Sequence, residues 1–292
     1  MSDFCGVFPY LVSPMNTDGT VREAVLRDLV DHLIDKGVHG LTPLGSTGEF
    51  AYLTWPQRKR IVEIVVDAAR GRVPVIAGVS HAASAEASRQ AREFEELGVD
   101  GILAVLETYF PLKEPQIFDY FAAIAHSVQC PVALYTNPSF QATELSFDVV
   151  SKLADIPNIE YIKDASGNTG KLLPIATKLN HKIKIFSASA HIPLFVMMLG
   201  AVGWMAGPAC IIPAQSVKLY NLAREKKWDE GMEYQKKLWD INMSFQKYSL
   251  APCIKAALEI QGFAVGDPIP PLRPLGAQEK EELKQIMQKV SL

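Results

Sequence analysis

The feature that most constrains this chain is a repeat in its apolar pattern. Short apolar runs recur along it, and four successive runs end near residues 78, 106, 134 and 162, about 28 residues apart. Eight such runs are readable: 6–13, 40–45, 74–79, 101–106, 131–137, 159–165, 183–188 and 202–207. Between them lie amphipathic stretches such as VREAVLRDLVDHLIDKG and SAEASRQAREFEELG, with apolar residues at i, i+3, i+4 and i+7 and a terminal glycine. One apolar run plus one such helix is one βα unit. Regular strand–helix alternation predicts a parallel sheet. Eight units fit a (β/α)₈ TIM barrel better than an open doubly wound sheet. The 292 residues suffice for such a domain, and no linker divides them. Past about residue 228 the strand pattern stops and three helical stretches follow. The expected fold is therefore α/β, a barrel over 1–227 with a C-terminal helical extension over 228–292.

Composition excludes several classes. A net charge of −3 leaves no basic footprint for nucleic acid or an anionic membrane surface. The uncharged segment 192–217 is broken by Gly200, Gly203, Gly207, Pro208 and Pro213. It reads as buried core pieces rather than a membrane span. The four cysteines form no CxxC pair, which suggests a reducing compartment and no structural zinc. The N-terminus lacks the pattern of a signal peptide. A cytoplasmic enzyme is the expectation. The six histidines show no metal-ligand spacing such as HxxxH, so no metal is expected.

In such barrels the working groups sit at the C-terminal ends of the strands. Three of those ends stand out. The second run leads into GSTGE, with Gly45, Ser46, Thr47 and Gly48 in a turn whose amides and hydroxyls suit an anion such as a carboxylate. The turn is neither a P-loop nor a GxGxxG fingerprint. The fifth run ends in Tyr135, which either packs at the rim or relays a proton. The sixth run, IEYIKDA, ends in Lys163. An ammonium buried there is costly unless paired or neutralised. Either the lysine lies past the strand end and points to water, or it is a nucleophilic amine whose pKa is lowered by desolvation. Tyr135 and Lys163 are 28 residues apart, so they occupy equivalent positions on adjacent strands.

Taken together, GSTGE, the Y-x-x-P-S of residues 135–139 and the I-K-D-x-S-G of residues 162–167 resemble the dihydrodipicolinate synthase / N-acetylneuraminate lyase family. The resemblance extends over essentially the whole chain. It implies a class I, imine-forming aldolase or lyase acting on pyruvate or another 2-oxo acid, without cofactor and usually a homotetramer. By resemblance Lys163 is the Schiff-base residue and Tyr135 the catalytic tyrosine. Ser46 and Thr47 hold the 2-oxo acid carboxylate with Gly45 and Gly48, Ser46 also joining the proton relay. Tyr109 matches a tyrosine lent across a subunit interface, with Thr108 before it where many members carry a second tyrosine. Phe140 and Met205 complete the expected substrate-binding set. Phe140 is also a departure. Members that make dihydrodipicolinate carry an arginine there for the carboxylate of the aldehyde substrate, and an aromatic ring cannot form that bidentate pair. The expected reaction is aldol cleavage or condensation. The alternatives are dehydration or deamination of a 3-deoxy-2-oxo sugar acid through the same imine, 4-hydroxy-tetrahydrodipicolinate synthesis, which Phe140 disfavours, and a non-catalytic 2-oxo-acid binder.

Overall fold

The computed structural model describes residues 3–138, 144–188 and 192–290. Along the chain the elements run β1 (Gly6–Pro9), α1 (Glu23–Asp35), α2 (Trp55–Ala69), β2 (Ile76–Ser80), α3 (Ser84–Glu96), β3 (Gly101–Val105), α4 (Glu114–Ala125), β4 (Val132–Thr136), α5 (Phe147–Leu153) and β5 (Ile159–Asp164). They continue with α6 (Thr169–Lys178), β6 (Lys184–Ser187), α7 (Pro193–Met198), β7 (Gly203–Ala206) and α8 (Pro213–Arg224). The C-terminal helices are α9 (Trp228–Tyr248), α10 (Leu250–Ile260) and α11 (Ala277–Val290). Two compact units emerge: residues 1–5 with 76–205, and residues 6–75 with 206–292.

In the first unit the strands pair in parallel in chain order, β2 to β3 through β6 to β7. Strands β2, β3 and β4 are buried on both faces, as a parallel sheet flanked by helices requires, so their sequences run apolar without alternation. Pairing across the ladder sets the faces. Val105 lies opposite Tyr135, and Tyr135 opposite Lys163. The register shifts once. Val132 pairs with Ile159 but Ala133 with Tyr161, so Glu160 is an extra residue in β5. This bulge is what lengthens the offset from 27 residues at Val132 to 28 at Tyr135. It brings Tyr161 and Lys163 onto the face of Ala133 and Tyr135. Below Lys163 that face is closed by aromatic packing: Phe4 stacks on Tyr161 at 5.2 Å, and Tyr161 meets Phe186 at 5.8 Å.

In the second unit β1 is followed by the run expected to form a strand over 40–45. That run is hydrogen-bonded on both sides, as a strand would be. Thr42 N–H donates to Pro9 O, Leu11 N–H to Thr42 O, and Leu41 N–H to Pro74 O. Its regular part is reduced to the isolated parallel bridges Tyr10–Thr42 and Leu41–Val75. Pro43 has no N–H to extend the ladder, and Leu44 turns to φ +59°. Helix α1 buries Leu26, Leu29, Val30 and Leu33, the expected i, i+3, i+4, i+7 stripe. Helix α2 begins in a capping box between Thr54 and Gln57. The uncharged segment 192–217 is divided among α7, β7, a short 3₁₀ turn and the start of α8. Among the described residues no helix is long and apolar enough to cross a membrane.

Candidate active site

Lys163 lies within β5, not past its end, and is only 3% exposed. Its Nζ sits 4.0 Å from the centre of the Tyr135 ring. Burial pushes its pKa down to about 7, against a weaker upward pull from the Asp164 charge. Asp164, the next residue, faces away by strand alternation. Its Oδ2 lies 3.0 Å from Lys171 Nζ, and its Oδ1 accepts the Ser166 N–H at 2.7 Å. The nearest sequence neighbour with a carboxylate is therefore engaged with helix α6. The Tyr135 hydroxyl oxygen accepts a hydrogen bond from Asn137 Nδ2 at 3.0 Å, which leaves the phenolic hydrogen to point elsewhere. Asn137 is buried and two residues beyond Tyr135, on the same face. Sequence reasoning missed it, although the period-2 rule applied to YTN would have found it.

Two lysines are buried among the described residues, Lys163 and Lys255. Their surroundings separate their roles. Lys255 Nζ lies 2.6 Å from Glu49 Oε2 and donates to Asp267 O at 3.0 Å. Burial lowers its pKa, and Glu49 opposes that shift. A contact ion pair locks the amine as a cation, so Lys255 is a structural charge and Lys163 the candidate nucleophile.

The Lys255 pair fixes the hydroxyl turn. Glu49 is 3% exposed, sits at φ +55°, and accepts the Ile269 N–H at 2.7 Å with its second oxygen. The turn itself is closed by Gly48 N–H to Gly45 O and by Ser13 Oγ to Gly48 O. Gly45 must be glycine because a Cβ there would come within 2.5 Å of the Tyr10 ring. Thr47 is fully buried, and its hydroxyl has no hydrogen-bond partner among the described residues. An unsatisfied buried hydroxyl is costly, and a ligand carboxylate would satisfy it. We expect Lys255→Met to lower unfolding stability by about 3–5 kcal/mol, because it strands the Glu49 carboxylate in the interior. Denaturant unfolding reads this, and adding Glu49→Leu should recover much of the loss.

The remaining expected residues fall as follows. Met205 is fully buried on β7, two residues beyond Gly203, which pairs with Phe186 in the row of Lys163. Tyr109 is 88% exposed and packs edge-on against exposed Phe110 at 5.0 Å. Phe140 lies outside the described residues. The first unit thus brings Lys163 and Tyr135 together. The second presents Gly45, Ser46, Thr47 and Gly48 as one turn.

Against known proteins, residues 3–290 match the model of the dihydrodipicolinate synthetase family. The chain belongs to this family. The 4-hydroxy-tetrahydrodipicolinate synthase of Methanopyrus kandleri is 31% identical over 98% of this chain and 96% of its own length. The dihydrodipicolinate synthase of Aquifex aeolicus superposes with a TM-score of 0.94 at 26% identity, covering 99% of each chain. YagE, an Escherichia coli K12 prophage protein of the dihydrodipicolinic acid synthase family solved with pyruvate, superposes with a TM-score of 0.93 at 28% identity over all of both chains. The expected (β/α)₈ barrel with C-terminal helices is the fold of these relatives. The expected enzyme class, an imine-forming aldolase or lyase acting on pyruvate or a 2-oxo acid, is that of the family.

Proposed function

We propose that Lys163 forms an imine with pyruvate or a related 2-oxo acid and that the resulting enamine makes or breaks a C–C bond. The carrying observation is the buried Lys163 amine over the Tyr135 ring, with its pKa brought down to about 7 by burial. At neutral pH a large fraction of that amine is unprotonated and nucleophilic. Its nitrogen attacks the 2-oxo carbon and the carbonyl oxygen leaves as water. Loss of a proton from C3 gives the enamine. C3 then adds to an aldehyde carbon, and hydrolysis of the new imine restores the amine. Cleavage runs the same steps backwards. Tyr135 relays the protons at the imine, and the family resemblance assigns Ser46 to that relay and Thr47 with the turn amides to the carboxylate. Tyr109 completes the relay of a neighbouring subunit. The pyruvate complex of YagE supports the choice of first substrate.

The second substrate is an aldehyde without a carboxylate, because Phe140 stands where synthases place arginine. The enzyme works as a cytoplasmic homotetramer. The free cysteines, three of them buried, suit a reducing compartment. The exposed Tyr109, Phe110, Leu173, Phe195 and Met198 offer apolar surface for subunit contacts.

The test is the pH dependence of imine formation. With pyruvate in excess, the trapping rate should rise with a midpoint near the Lys163 pKa of about 7 and level off above it. A midpoint near 10.5, the ordinary lysine value, would mean a solvated amine and would contradict the proposal.

A further inference from the structure

The strand ladder carries a second group onto the face of Lys163. Ser80 pairs with Val105, Val105 with Tyr135, and Tyr135 with Lys163. Residues paired across parallel strands point to the same side of the sheet. Ser80 is 2% exposed, and its hydroxyl donates to Glu107 Oε2 at 2.9 Å. Glu107 stands two residues beyond Val105, so alternation keeps it on that same side, past the strand end. The Tyr120 hydroxyl of α4 reaches both Val105 O, at 2.9 Å, and His81 O, at 3.1 Å, tying the ends of β2 and β3 together. Glu107 is thus an anchored carboxylate with an exposed side chain, held by one buried hydroxyl and open on its other side.

We infer that Glu107 selects the second substrate, favouring a hydroxyl-bearing aldehyde and rejecting one that carries its own carboxylate. The inference rests on the aldol reading above. Three strand spacings of about 4.8 Å separate Ser80 from Lys163 along the sheet, about 14 Å in all. Lys163 Nζ lies over the Tyr135 ring of the neighbouring strand, 4.0 Å from its centre, and the chain added to its three-carbon imine supplies the further reach. Glu107 therefore meets what is added to the pyruvate methyl carbon rather than pyruvate itself. An ionised carboxylate is acceptor-only: it takes hydrogen bonds from hydroxyls and repels a second carboxylate. It sets an added anion against an acidic aldehyde.

The test compares kcat/KM for condensation of pyruvate with glyceraldehyde and with succinic semialdehyde, two aldehydes differing in the polar groups of the far end. Wild-type enzyme should prefer glyceraldehyde. Glu107→Gln should reduce that preference by about tenfold or more, because it removes a like charge near the incoming carboxylate. Ser80→Ala, which releases the carboxylate from its anchor, should reduce it less. The ratio within one variant is independent of how much active protein folds. Wild-type protein that forms no trappable pyruvate imine would sink the aldol reading itself. An imine-forming enzyme whose aldehyde preference is absent, or is unchanged in Glu107→Gln, would overturn only the role of Glu107.

Discussion

Lys163→Ala should abolish turnover, by on the order of 10⁴-fold or more, as loss of a covalent nucleophile does elsewhere. Among the described residues of the first unit Lys163 is the one buried lysine. Lys171 is committed to Asp164 and Glu144, and Lys184 to Asp3. The fold should survive the change, and the sign of its pH dependence can be stated. Lys163 has a folded pKa of about 7 against 10.5 for an ordinary lysine. Between those values the unfolded chain binds more protons than the folded one, so wild-type stability rises with pH across this window. Lys163→Met removes the titrating group and fills the same space. The Met variant should therefore be inactive, at least as stable as wild type at pH 7, and flatter in its stability between pH 7 and 10. Activity retained in either variant would refute the imine scheme.

Tyr135→Phe should have the second largest effect. The ring stays, so the packing over the lysine is kept, and only the hydroxyl that Asn137 holds is lost. Removing a positioned proton donor or acceptor typically costs 10²–10⁴-fold. The variant should still form the pyruvate imine, more slowly, while kcat for the full reaction falls by about that range. Single-turnover trapping beside steady-state turnover separates the two. A Tyr135→Phe enzyme with near-normal kcat would remove the phenol from the proton relay.

The sequence made the repeat of βα units legible because parallel strands flanked by helices must be apolar throughout, and such runs are easy to count. The pairing of Tyr135 with Lys163 was legible from their spacing alone. The reason for that spacing was not. It depends on the extra residue at Glu160, and a bulge leaves no mark in an apolar pattern. The apolar run at 40–45 has the pattern of a strand. Pro43 and the left-handed Leu44 reduce it to bridges, a consequence of backbone chemistry that hydrophobicity does not report. Local motifs carried the candidate nucleophile and the hydroxyl turn. Long-range partners were hidden. Nothing in GSTGE points to Lys255, and nothing in ETYF points to Ser80, because neither pairing is periodic in sequence.

The central claim is that the Lys163 amine is a nucleophile and not a solvated surface charge. Borohydride reduction in the presence of pyruvate, followed by intact mass and peptide mapping, tests it most directly. We predict one reduced pyruvate per chain, carried on the peptide that contains Lys163 and absent from Lys163→Ala. An adduct on any other lysine, or no adduct with pyruvate or longer 2-oxo acids, would contradict the account.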